Sequence, residues 1–200
     1  YHDAYARGDI AARIVDAYPD ATWGECPSVN VPGDSTAEIK GLADIDRSHK
    51  LWRTLHRLDR LTNLGHYGVL VLGLSGGEPM YQPARGTDYE LLYMQPHSER
   101  TAEIVQWDSD PTSPRFGMPS AYRITTGVNW TGLGAGQKTM VVHHSRVIHV
   151  AERSMEDQSI GTPRLSRVFN RLTDLDKLLG GGAEIYWKNA AMMLQFNAAP

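Results

Sequence analysis

The sequence predicts an α+β fold in which amphipathic helices flank a mostly antiparallel β region, and three observations predict it. Apolar residues recur at helical spacing through positions 1–65, short β-branched and aromatic segments between turn residues fill 66–151, and helical spacing returns over 161–195. Length and composition agree with this: 200 residues, 41% apolar and 22% charged, are enough for a sizeable core and argue against wholesale disorder.

In chain order, Ala6, Ile10, Ala11, Ile14 and Val15 keep helical steps over 3–18, and Pro19 is expected to end that helix. The stretch 24–34, rich in Pro and Gly, predicts a loop, with Ser35 as the cap of the next segment. Over 42–64, Ile45, Leu51, Trp52, Leu55, Leu58 and Leu61 predict one continuous helix closed by Gly65. Its basic residues, Arg47, Lys50, Arg53, Arg57 and Arg60, are interspersed with Asp44, Asp46 and Asp59 and read as a solvated face.

The run 69–74, ending in Ser75-Gly76-Gly77, predicts a buried strand. Further strands are predicted at 89–94, 102–107, 121–126 and 140–150. Gly161, Thr162 as N-cap and Pro163 at the first helical position predict the start of a helix over 162–179. Its apolar stripe comprises Leu165, Val168, Phe169, Leu172, Leu175, Leu178 and Leu179, with Arg164, Arg167 and Arg171 on other faces. Gly180-Gly181-Gly182 is expected to break it before a second helical piece over 183–194.

Charge and cysteine content narrow the function classes. With 20 Lys+Arg against 23 Asp+Glu the net charge is −3, which is unsuited to gripping nucleic acid over most of the surface. The single cysteine, Cys26, builds no disulfide framework and no zinc site, and a reducing compartment is expected. No apolar run approaches the ~20 residues that span a bilayer. Tyr1 within a helical pattern and the terminal NAAP are expected of a piece of a longer product.

Three constellations invite a chemical reading. Residues 132–139, GLGAGQKT, approach the phosphate-loop pattern with Gln137 in place of its last glycine, yet Thr139 leads into strand-like Met140-Val141-Val142 rather than a helix. A Gly-rich β connection is expected instead. In 143–149, HHSRVIH, strand alternation puts His143, Ser145 and His149 on one face and His144, Arg146 and Ile148 on the other, so adjacent histidines are expected to point apart. A two-histidine phosphoesterase needs a hydroxyl two residues after each histidine, but Arg146 follows His144 and Ala151 follows His149 in that position, and His97-Ser98-Glu99 fails likewise. His143, His144, Ser145 and Arg146 are therefore read as a structural polar cluster, and Arg146→Ala as a change to stability rather than turnover. Glu152, Glu156 and Asp157 read as an exposed loop. Trp23, Trp52, Trp107, Trp130 and Trp187 are spread through different elements and read as core or subunit anchors rather than a base-stacking platform.

Several phrases, taken in order, resemble a known family. They are Ala12-Arg13-Ile14-Val15-Asp16, Pro114-Arg115-Phe116-Gly117-Met118-Pro119 leading into Ala121-Tyr122-Arg123-Ile124, Val142-His143-His144-Ser145-Arg146-Val147-Ile148, and Gly161-Thr162-Pro163-Arg164-Leu165. The chain resembles a bacteriophage portal protein, of the portal-like phage family whose amino-terminal domain was long labelled a domain of unknown function and later given an anti-CBASS name.

The resemblance implies a single portal wing-like domain over 1–200, with stem, clip and crown mostly beyond Pro200. It implies a dodecameric homo-oligomer ring at one capsid vertex, through which double-stranded DNA passes non-specifically during packaging and ejection. The implied partners are the terminase, head-completion or adaptor proteins, and the major capsid or scaffolding protein. Assembly in the host cytoplasm and a final place in the virion are implied too, with no membrane, no enzyme activity, no cofactor and no metal. No catalytic or cofactor-binding residue is nominated, and the DNA-contacting residues are left open. Two competing readings are a nucleotide-directed phosphodiesterase using the His143/His144 region and a head–tail adaptor or minor head protein.

Overall fold

The computed structural model describes residues 1–29, 36–86, 89–127 and 138–193. The expected cap Ser35, most of the Gly-rich segment 132–139, Trp130, Leu194 and part of the 24–34 loop lie outside the described residues.

The first helical stretch is two helices, not one: α1 (His2–Arg7) and α2 (Asp9–Thr22) meet at Gly8, whose backbone is extended (φ −98°, ψ 119°). A Cβ there would stand 2.9 Å from the Ala4 carbonyl oxygen, so the glycine permits the close turn. Pro19 does not end α2. It sits in the last turn with its carbonyl accepting the Trp23 N–H at 2.9 Å, and with Ala11 and Val15 it forms a buried i, i+4, i+8 face.

The predicted helix over 42–64 is likewise broken, into α3 (Thr36–His49) and α4 (Leu51–Leu64), because Lys50 adopts the left-handed conformation (φ 52°, ψ 54°). Asp46 supports the corner twice: its carbonyl accepts the Lys50 N–H at 2.7 Å and its carboxylate the Trp52 N–H at 3.3 Å. Helices α2 and α4 run antiparallel. Trp23 packs on Trp52 (6.4 Å between rings) and donates to Asp59, Asp20 meets His56, and Arg60 pairs with Asp16 at 3.0 Å. Part of the basic set on α4 is therefore partnered rather than only solvated.

Two three-stranded antiparallel sheets come next. β1 (Gly68–Leu74) lies between β2 (Leu91–Ser98) and β6 (Val147–Val150); β4 (Pro119–Thr126) lies between β3 (Ala102–Trp107) and β5 (Lys138–His143). The second predicted strand thus starts later and runs through Pro96, which β2 tolerates as an edge strand. The predicted strand over 140–150 is interrupted: after His143 a 3-10 turn (His144–Arg146) carries the chain out of one sheet and into the other.

Val69 and Val71 of β1 meet Ala102, Tyr122, Ile124 and Val142 of the second sheet to form the core between the sheets. The opposite face of β1 meets α4. A Cβ on Gly68 would fall 2.5 Å from Thr62 Oγ1, so this glycine sets how closely strand and helix approach. A second cluster joins Ala11 and Val15 of α2, Leu64 of α4 and Leu165.

The final segment departs from its expected cap. Thr162 and Pro163 do not open a helix, because Gly161 N–H donates to His66 O (2.7 Å) and Thr162 N–H to Glu152 O (3.0 Å), holding the strand-like approach; Pro163 is extended (φ −56°, ψ 141°). A 3-10 turn (Arg164–Arg167) comes next. α5 (Phe169–Met193) then runs unbroken through Gly180-Gly181-Gly182. Its outer half leaves Leu178, Leu179, Ile185, Tyr186 and Trp187 exposed.

Candidate functional site

The polar cluster read from the sequence forms the corner where β5 passes into β6. His143 ends β5 in an extended conformation and its Nδ1 accepts the Ser145 N–H at 3.2 Å, capping the 3-10 turn. An Nδ1 that accepts is unprotonated, so Ser145 Oγ–H also donates to it at 3.0 Å while accepting the Ala84 N–H at 2.9 Å. His143 N–H donates to Met80 O at 2.9 Å. The corner therefore orders the long β1–β2 connection.

Arg146 is the centre of this arrangement. It is 1% exposed, the bulkiest fully buried side chain among the described residues, and its Nη2 donates to Glu78 Oε2 at 3.3 Å. Tyr89 OH donates to the same carboxylate at 3.1 Å and accepts the N–H groups of Arg85 and Gly86, both at 3.0 Å. A buried guanidinium is costly unless paired, and here one carboxylate pairs it with a folded loop.

The two adjacent histidines do not point apart. The turn replaces strand alternation, and their rings lie 4.3 Å apart, tilted at 39°. Burial, then the Arg115 guanidinium, then His143 hold His144 down at about 4; burial, Arg115 and Arg146 lower His143. Both are neutral at neutral pH. No group of three or more His, Cys, Asp or Glu suited to a metal occurs among the described residues. No carboxylate among them hydrogen-bonds the His143 ring, so the Ser145–His143 contact lacks the third, orienting group of a nucleophilic triad.

His149 is separated from this corner. It stacks on Tyr67 at 5.0 Å and lies 5.8 Å from the Tyr122 ring, inside the inter-sheet core. Ser159 O can only accept, so His149 Nε2–H donates to it (2.7 Å), and the bare Nδ1 accepts from Tyr122 OH (3.1 Å). Burial dominates its lowered pKa, opposed by the Ser159 bond. The ring ties β6, β4 and the 151–162 loop together.

Sequence reasoning missed a second arginine hub. Arg164, assigned to the polar side of a helix, is instead tucked between elements: Nη2 donates to Glu152 Oε2 at 3.0 Å, Nε donates to Asn63 Oδ1, and the guanidinium lies 4.1 Å over the Tyr18 ring. Glu152 is accordingly a partnered residue, and Asp157 caps the Ser159 N–H at 2.7 Å, so these carboxylates hold their loop in shape. The available signal was the phrase Gly161-Thr162-Pro163-Arg164-Leu165 itself, which concentrates one tight glycine, one largely covered, partnered arginine and one fully buried leucine.

These residues build the corners of the fold. The sequence profile of a family described as phage portal protein matches residues 1–199. The chain belongs to the phage portal protein family. No curated protein matches it. The portal family is one of structural proteins of the bacteriophage virion, associated with the capsid as oligomers, and no helix among the described residues is long and apolar enough to cross a membrane. Among the described residues the outer half of α5 carries an exposed apolar surface, where Tyr186 is 80% and Trp187 76% exposed.

Proposed function

We propose that this chain is the wing domain of a portal protein that assembles as a dodecameric ring at one capsid vertex. Double-stranded DNA is driven through the ring during packaging and leaves through it on ejection. The ring docks the terminase and head-completion proteins and seats against the major capsid or scaffolding protein. The family match over residues 1–199 carries this reading.

Two physical features support it. The exposed Leu178, Leu179, Ile185, Tyr186 and Trp187 form an apolar face open to a further protein surface, as expected of an assembling subunit. A net charge of −3 suits a conduit along which DNA must slide without being held. The histidine corner acts in the fold and not in turnover, which separates this reading from a nucleotide phosphodiesterase. The test is the mass of the assembled full-length protein in solution with negative-stain images of the same sample. Closed rings with a central opening are expected; a monodisperse monomer or dimer overturns the reading.

A further inference from the structure

Two concave surfaces on this chain are lined mainly by opposite charges, and the groups that carry them form no ion pair among the described residues. The first is a pocket of about 380 Å³ at the α3–α4 corner, where Lys50, Arg53 and Arg57 line the wall with Thr54 and Met94. Arg53 and Arg57 lie at i and i+4 on one side of α4, ~5–6 Å apart, and Lys50 stands at the left-handed corner just before the helix. None of the three forms an ion pair among the described residues, unlike Arg60 further along the helix, which meets Asp16 and Asp20. Leu92, 54% exposed, and Met94 add apolar surface beside them.

The second surface is a groove of about 350 Å³ between the α1–α2 junction and α5. Its floor is apolar, formed by Ala11, Leu172 and Leu175. Its rim carries Asp3, Asp9 and Asp176 against the single cation Arg7, and none of these carboxylates forms an ion pair among the described residues. Asp9 only caps its own helix, through the Ile10 N–H at 2.7 Å.

The placement of the two decides their use. α2 and α4 are antiparallel, so Asp9 at the start of α2 lies beside the Leu64 end of α4, whereas the cationic pocket lies at the opposite end of a 14-residue helix, ~20 Å away. The two surfaces cannot meet within one chain. Two different, complementary patches set apart toward opposite ends of α4 suit a head-to-tail contact that repeats around a ring.

We propose that neighbouring copies of this chain join through these surfaces, the Lys50/Arg53/Arg57 pocket of one copy seated on the Asp3/Asp9/Asp176 rim of the next. The inference rests on the portal reading and names its subunit interface. The pairing matches charge to charge and the Leu92/Met94 surface to the apolar groove floor. A nucleic-acid phosphate backbone would use the cations alone, and would leave both the acidic groove and the apolar surface unexplained.

Charge reversal in the full-length protein tests it. Arg53→Glu with Arg57→Glu makes both surfaces acidic, and Asp9→Lys with Asp176→Lys makes both basic. Each variant alone is expected to lose the assembled species at concentrations where the wild type forms it. An equimolar mixture is expected to recover it, because each variant then meets its opposite; recovery also reports that both variants are folded. Assembly by either variant alone overturns the interface while leaving the portal reading intact, as does failure of the mixture. Intact rings with weakened retention of duplex DNA in the arginine variant would overturn the pairing and assign the pocket to nucleic acid. A wild type that forms no ring overturns the portal reading itself.

Discussion

Arg146 shows how one side chain holds a corner together. Its guanidinium is nearly inaccessible and its only ion-pair partner among the described residues, Glu78, is itself held by Tyr89, which in turn gathers the backbone of Arg85 and Gly86. Truncation removes a large packed volume and frees a carboxylate that organises a loop. Arg146→Ala is expected to lower unfolding stability by about 3 kcal/mol in urea titration, within the range for emptying a core position or breaking a buried pair. Arg146→Met retains most of the packing and is expected to cost less. An Arg146→Ala protein as stable as the wild type would show that the corner is held elsewhere. Arg164 repeats the logic on the helical side, linking Glu152, Asn63 and Tyr18. The phrase Pro114–Pro119 also builds a corner: Arg115 reaches Pro119 O at 3.0 Å, and Gly117 takes a positive φ of 77°.

At the scale of elements, periodicity made some features legible, and single backbone choices hid the others. The helical stripe around Leu55, Leu58 and Leu61 and the apolar run 69–74 announced α4 and β1, because burial of one face dictates them. The break at Lys50 had no such signal, since a lysine in the left-handed region is set by the α3–α4 packing and not by its own preference. The β5–β6 corner was hidden for a similar reason: an apolar alternating run reads the same whether it stays in one sheet or crosses to another, and the close approach of the His143 and His144 rings is a product of that crossing. The glycines separate the two kinds of information. A Cβ at Gly161 would lie 2.1 Å from Glu152 O, backbone that cannot yield, whereas Gly180, Gly181 and Gly182 meet nothing within 4 Å inside a continuous helix. Gly161→Ala is expected to be severely destabilising, while Gly181→Ala is expected to raise the thermal stability of α5 by about 0.8–1 kcal/mol, the helix propensity difference. Circular dichroism melts of the two variants check this, and a gain in both or a loss in both would contradict the assignment of their environments.

On the scale of the whole molecule, the distribution of histidines couples the fold to pH. Of the eight histidines, His2, His97, His143, His144 and His149 are all held below the ordinary value of 6.5, in each case chiefly by burial. They sit in separate parts of the fold: His97 in β2, His149 between the two sheets, His143 and His144 at the sheet-crossing corner, and His2 in the first helix. Unfolding restores each to its ordinary affinity, so between pH 6.5 and the folded values the unfolded chain binds more protons than the native one. Stability therefore rises with pH across that window and is lost as pH falls through it. The stabilising contribution is complete above pH 6.5, and His144 sets the lower edge near 4. At His149 the structural cost is specific, because protonating Nδ1 removes the acceptor for Tyr122 OH between the sheets. Urea midpoints measured at pH 7.5, 6 and 5 are expected to fall progressively, and His144→Gln is expected to flatten part of that fall without lowering the pH 7.5 value by more than ~0.5 kcal/mol, as for a substitution outside the core. A midpoint constant or increasing towards pH 5 would mean that these rings gain, rather than lose, favourable contacts on protonation, and the neutral state of the corner histidines and of the inter-sheet His149 would have to be reassigned.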